Sequence, residues 1–371
     1  MNDTMTKLGD VARECRQNWT GDQAGVPIVG LEHLVPGEYE LKAWDSDIEH
    51  TFSKKFEKGQ VLLGRRRVYL RKAVVAPCDG ICSGDITVIE STGGILPELL
   101  PFVIQNDRFF DYAMQGSAGS LSPRVKWDYL KNYEFSLPSL DEQRLLAEKL
   151  WSAYRLKESY KKLLAATEEM VKSQFIEMIE LKNWPQMKLK DIVHEDCPIS
   201  YGIVQPGDDM EDGVPIVRPI DMNDTHVINK KNLKHTSREI SEAYNRTILR
   251  GDEILVCVRG TTGLIALADG LKGCNVTRGI TPLFFKPQFN REYLYRAFLG
   301  QQVQDYIQDN TIGSTLKCIN MSKLRELPIC MPPKEVQEQF VVFARQADKS
   351  GFELRKSIEA IDAVIKSLIN S

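Results

Sequence analysis

Five of the nine residues in "GRRRVYLRK", Gly64 to Lys72, are cations, and the nearest acids along the chain are Glu57 and Asp79. Guanidinium groups this dense around a tyrosine suit a polyanion. Arginine pairs with phosphate or with the guanine edge, and tyrosine lies against sugar or base. The candidates in this run are Arg65, Arg66, Arg67, Tyr69, Arg71 and Lys72. "VRGTTG" at Val258 contributes Arg259, Thr261 and Thr262, and "TRGITPL" adds Arg278. Two Gly/Ser/Thr-rich loops, "GSAGSLSPRVKW" and "IGSTLKCINMSK", offer Ser120, Ser122, Arg124 and Lys126, then Ser314, Thr315, Lys317 and Asn320. Hydroxyls and backbone N–H groups of such loops contact phosphate, and the Asn320 amide could pair with adenine. The plainer reading is a solvated strand face and two solvated turns. Recurrence at matched places in both halves of the chain favours binding.

Catalytic and cofactor motifs do not stand out. There is no G-x-x-x-x-G-K-[ST] loop, no G-x-G-x-x-G after a strand, no G-x-S-x-G and no H-E-x-x-H. An Asn/Asp-Pro-Pro-aromatic tetrapeptide is also missing; Pro332-Pro333 sits in "CMPPK". His33, His50, His194, His226 and His235 share no spacing, and of the eight cysteines only Cys78 and Cys82 lie close together. A zinc site would need two further ligands at ligand spacing, so no metal and no bound cofactor are expected, and the thiols read as reduced. The chain reads as one that binds rather than reacts.

At 371 residues two or three domains are expected. Net charge is -3, which argues against a uniformly basic DNA-coating protein but allows local basic surfaces. No apolar run is long enough for a membrane span, and "MNDTMTKLGDVARECRQNW" is not a secretory signal. A cytoplasmic, prokaryotic location is the expectation.

The elements that must position these residues occur twice. "KLGDV" at Lys7 returns as "KLKDI" at Lys188, a separation of 181, and "VPIVGLEHL" at Val26 returns as "VPIVRPIDM" at Val214, a separation of 188. "KGQVLL" and "RGDEILV" stand 192 apart. "SGDITVI" and "TRGITPL", "DYAMQGSAGS" and "DYIQDNTIGS", and "LPSLDEQ" and "MPPKEVQ" all hold at 194. A separation that drifts and then settles is what small insertions in one copy of a duplication produce.

Within a copy, "VPIV", "QVLLG", "RKAVVA", "GDITVIE", "EILVCV" and "TPLFF" predict short strands. "PELLPFVIQNDRFFDYAMQ" and "NREYLYRAFLGQQVQDYIQ" predict helix. From Ser139 to Trp184 there is no Gly or Pro, and Leu146, Leu150, Tyr160 and Leu164 recur near helical spacing. Phe340, Phe343, Ile361 and Ile365 do the same after "MPPKEVQEQ", with Gly351 as a candidate kink. A helix of ~40 residues spans about 60 Å, too long to bury its stripe on one small domain. Two such helices are expected to pair antiparallel inside the chain, giving a pseudo-twofold protein; packing on the parent domains or between chains stays open.

These features together resemble the specificity subunits of type I restriction-modification systems. The junctions "FSLPSLDEQRLLAEKL" and "LPICMPPKEVQEQFVVFA" carry the resemblance, with "KGQVLLGRRRVYLRKAVVAPCDGICSGDI" and "RGDEILVCVRGTTG". It implies an α+β fold: two duplicated mixed α/β target-recognition domains, residues 1–138 and 184–332. Two long antiparallel helices, residues 139–183 and 333–371, would form a coiled-coil-like spacer. It implies a bipartite target on double-stranded DNA and no catalysis by this chain. The long helices would dock two modification (methyltransferase) subunits, with restriction (translocase/nuclease) subunits joining; S-adenosylmethionine, ATP and Mg would sit on those partners. A coiled-coil scaffold or adaptor without a DNA role is the competing reading.

Overall fold

The computed structural model describes residues 4–119, 122–222, 228–313 and 317–370. It divides into two compact units, Met1–Leu164 with Glu353–Ser371, and Ala165–Phe352. Ser120, Ser314 and Thr315 lie outside the described residues.

In the first unit an antiparallel sheet has the order Ala12–Cys15, Ile86–Ser91, Val61–Gly64, Ala73–Val75. The expected strand "QVLLG" is uninterruptedly apolar because it is central and covered on both faces. Successive side chains alternate between two cores. Val61 and Leu63 enter one with Phe102, Phe109 and Phe110, while Leu62 enters the other with Val29, Phe56 and Val74. A second sheet places Ile28–Val29 parallel to Gly80–Cys82, which pairs antiparallel with Lys54–Phe56. The predicted helix after these strands is two helices, Leu100–Ile104 and Asp107–Gln115. Asn106 separates them and caps the second by accepting from the Arg108 N–H at 2.8 Å.

The second unit repeats this plan. Ile254–Cys257 lies between Ile265–Leu267 and Ile280–Leu283, antiparallel to both. Ile254 and Val256 enter one core, and Leu255 and Cys257 enter the other. Val214–Val217 is parallel to Asn275–Val276, as Ile28–Val29 is to Gly80–Cys82. Each unit also closes alike: Thr4–Lys7 pairs with Glu134–Leu137, and Gln186–Lys188 with Pro328–Cys330. The helical stretch here divides at Gly300 into Arg291–Leu299 and Gln301–Asp309. A Cβ at Gly300 would stand 2.6 Å from Phe175 Cε1, so the helix breaks where the Phe175 ring presses on its backbone.

The long helices are present as Leu140–Phe175, extended by a π-helical turn Ile176–Glu180, and Lys334–Asn370. Ser139 and Glu142 start the first: the Ser139 N–H and hydroxyl both donate to Glu142 Oε2, at 3.0 and 2.8 Å. Helix runs unbroken through Gly351, which is buried. Within the first unit Lys157 Nζ pairs with Asp362, while Leu146 and Leu150 share a groove with Leu368 and Ile369. The two helix segments therefore run antiparallel there. Within the second unit Phe175 packs edge-on against Phe340, ring centroids 5.1 Å apart. Among the described residues no helix is long and apolar enough to cross a membrane.

Candidate nucleic-acid interface

The strand Val61–Gly64 delivers the cation run directly into a loop of its own unit. Arg65 N–H donates to the Asp85 carbonyl at 2.9 Å, Val125 N–H to the Arg65 carbonyl at 3.0 Å, and Arg67 N–H to the Pro123 carbonyl at 2.8 Å. The loop closes on itself through the Ala118–Arg124 pair, with N–H to carbonyl distances of 3.1 and 2.9 Å. The first cation run and the loop after the helices, 50 residues apart in sequence, thus form one surface.

The second unit builds the same frame from different residues. Val258 N–H donates to the Gly279 carbonyl at 2.8 Å, Ile319 N–H to the Val258 carbonyl at 3.0 Å, and Gly260 N–H to the Lys317 carbonyl at 2.8 Å. Thr311–Ile312 pairs with Cys318–Ile319 where Ala118 pairs with Arg124. The backbone repeats bond for bond, while the side chains on it differ.

Those side chains fall into two groups. Several candidate polar groups are engaged by the protein itself. Arg66 Nε donates to Ser122 Oγ at 2.6 Å, and its Nη1 lies 3.5 Å from Asp85. Arg124 meets Asp85 with Nε at 2.7 Å and Nη2 at 3.2 Å. The Arg124 contact, followed by Arg66, holds the Asp85 carboxyl below its ordinary range. Arg71 pairs with Asp107 and, at 2.9 Å, with Asp111; Lys72 Nζ donates to the Leu31 carbonyl at 2.7 Å. Thr262 is 7% exposed, and its hydroxyl accepts from Thr311, so it fastens the loop rather than presenting itself.

The second group faces outward. Arg67, Lys126, Thr261, Arg278, Lys317 and Asn320 are exposed, and Tyr69 is 52% exposed. Arg278 lies over the Tyr201 ring at 5.7 Å, and Arg259 is half-buried with no ion pair among the described residues. Asn320 occupies the N-cap of Met321–Arg325 without using its side chain there, which leaves its amide available. Arg65 Nε and Ser117 Oγ are buried without a hydrogen-bond partner among the described residues.

Arg67 and Arg71 both adopt left-handed backbone, with φ of 51° and 52°, and flank the single 3₁₀ turn Val68–Leu70. Buried Val68 anchors that turn while Tyr69 and Leu70 project. Asp85, Asp107 and Asp111 were absent from the sequence-derived set. Asp85 left one signal: the matched turns read Gly84-Asp85 in one copy and Arg278-Gly279 in the other.

The helix residues expected to dock partners are placed differently. Leu150, Phe340 and Ile365 are buried in the cores of their own units, and Leu146, Phe343 and Ile361 pack against the same cores. Leu146, Phe343 and Ile361 are half-buried, as are Tyr160 and Leu164. Elsewhere, Glu32, His33 and Asp45 bring ligand-type atoms within 4.8 Å of one another. The Gly30 N–H donates to His33 Nδ1 at 2.9 Å, so the ring proton sits on Nε2, 3.4 Å from Asp45. Nδ1 is thus already engaged, and Nε2 stands at ion-pair distance from Asp45.

Residues 182–361 match the family model described as type I restriction modification DNA specificity domain. This part of the chain is similar to that family. Across 305 residues the chain is 24% identical to the type I restriction enzyme EcoBI specificity subunit of Escherichia coli. That match covers 72% of this chain and 64% of the E. coli protein. The specificity-domain fold extends over both units. A chain from a structural study of complex assembly and conformational transition in a type I R-M system superposes with a TM-score of 0.62 at 17% identity, covering 100% of this chain and 97% of that one. The type I restriction-modification S subunit from M. genitalium gives 0.58 at 10% identity, covering 100% and 95%. The fold class read from the sequence, two mixed α/β recognition domains with two long helices, is the one found.

Proposed function

We propose that the chain is the DNA specificity subunit of a type I restriction-modification complex, reading a bipartite target with one interface per unit. The observation that carries this is the repeated hydrogen-bond frame with unlike cations and amides on it. One frame meeting the same backbone groove twice, with different side chains, suits two half-sites of different sequence. Exposed Arg67, Lys126, Arg278 and Lys317 supply phosphate contacts, which fix register. Arg259, Asn320 and the free N–H edges of Arg66 and Arg124 supply base contacts.

The chain itself carries out no chemistry in this reading. Two modification subunits bring S-adenosylmethionine and methylate adenine; restriction subunits bring ATP and Mg, all in the cytoplasm of a prokaryote. Docking draws on the long helices, which also carry exposed apolar side chains. Leu145 and Leu156 in the first unit, and Met170, Val342 and Phe352 in the second, are between 45% and 66% exposed.

Methylome sequencing of cells carrying this chain with its modification subunits tests the reading. The expected result is a gapped, two-part motif with adenine methylated. A continuous motif, or none despite active modification subunits, overturns it, and a scaffold role becomes the better account.

A further inference from the structure

The matched turns of the two units carry opposite charge. In the first, Gly84-Asp85 places a carboxylate between two arginines: Arg66 reaches it at 3.5 Å and Arg124 at 2.7 Å. In the second, the turn reads Arg278-Gly279, and a Cβ at Gly279 would stand 2.5 Å from Pro219 Cγ, so no acid fits there. Among the described residues no carboxylate pairs with Arg259, the counterpart of Arg66 in the frame.

Asp85 and Ser122 leave each arginine partly free. Arg124 spends Nε and Nη2 on Asp85, and Arg66 spends Nε on Ser122 with Nη1 toward Asp85. Arg124 Nη1 and Arg66 Nη2 remain as fixed donor edges. A carboxylate here has two physical consequences. It fixes the direction of the donors, and it competes with phosphate oxygens for the same guanidinium groups. A phosphate, which any sequence supplies, gains little from displacing one anion by another. A base edge that accepts from the free N–H groups requires no displacement.

We propose that Asp85 is a positioning residue of the first interface. It withholds Arg66 and Arg124 from non-specific phosphate contact and aims their free edges at bases. This deepens the DNA reading above and rests on it. The second unit, lacking the acid, grips phosphate with exposed Arg278 and Lys317, so the two halves divide selectivity and affinity unequally.

The test uses the full chain assembled with its modification subunits, as wild type, Asp85→Asn and Asp85→Glu. Each selects from a pool of randomised DNA duplexes, and each is titrated with poly(dI-dC) duplex at several salt concentrations. Asp85→Asn should lose base preference at one or two positions in one half of the motif and leave the other half intact. It should also bind poly(dI-dC) about tenfold more tightly at low salt, with a salt slope steeper by roughly one to two contacts. Asp85→Glu, which keeps the charge, should restore both. An Asp85→Asn variant with the wild-type motif and slope overturns the positioning role and leaves the DNA reading standing. Equal loss in both halves overturns it too, because a residue of one unit acts on one half. A wild type that selects no motif overturns the DNA reading and this role together.

Discussion

Arginines four residues apart in "GRRRVYLRK" have become different tools. The Arg67 side chain is exposed with no partner among the described residues, while Arg71 is clamped by Asp107 and Asp111. Both sit at φ near +50°, which costs an L-residue roughly 1 kcal/mol and which glycine adopts freely. Arg67→Gly should therefore weaken DNA binding and reduce the salt slope by about one, with the unfolding midpoint unchanged or raised. Arg71→Ala should do the reverse: about 1 kcal/mol of stability lost, with little change in salt slope. Urea unfolding and salt-dependent duplex titration on the two variants read this directly. Equal loss of binding in both would mean that Arg71 releases its acids and joins the interface.

Elements hold the interface still by satisfying charge as well as burying apolar area. In the first unit Glu38 accepts from Tyr154 at 2.9 Å and from Lys161 at 2.6 Å, with Lys42 also at 2.6 Å. That ties the segment between Ile28–Val29 and Lys54–Phe56 to the central helix. Burial alone would raise the Glu38 carboxyl, but hydrogen bonds from Lys161, Lys42 and Tyr154 outweigh it and hold it at about 2 against an ordinary 4.5. A folded value below the unfolded one means this stability is present above about pH 4.5 and is lost as pH falls toward 2. Glu38→Gln should cost about 2 kcal/mol at neutral pH, and the difference from wild type should close between pH 4.5 and 2. Urea unfolding across that range checks it; a constant difference at all pH values would assign the loss to packing instead.

At the scale of the whole molecule, duplication copies a hydrogen-bond frame and then varies what stands on it. Each unit has its own pair of cores and its own copy of the hydrogen-bond frame, so under the proposed reading damage to one leaves the other in place. Arg259→Ala and Arg66→Ala should alter different halves of the methylated motif, at no shared position. Each loss should amount to about 1–3 kcal/mol where a base is read. Selection from randomised duplexes by each variant measures this. Overlapping changes would mean that both units address one continuous site.

Local pattern determined much of this protein on its own. Apolar runs such as "QVLLG" and "EILVCV" mark strands wherever they fold, because a central strand must be apolar on both faces. Ser139 and Glu142 mark a helix start because the groups that cap it are three residues apart. The repeat was legible from separations, and the family likeness from the junctions "FSLPSLDEQRLLAEKL" and "LPICMPPKEVQEQFVVFA". Tertiary structure decided what the cations do. Along the chain the nearest acids to the arginine run are Glu57 and Asp79, but folding brings Asp85, Asp107 and Asp111 to it instead. It also placed Leu150, Phe340 and Ile365 inside cores, where a helical stripe by itself does not say what covers it. Charge and burial are sums over neighbours in space, and only the folded chain selects those neighbours.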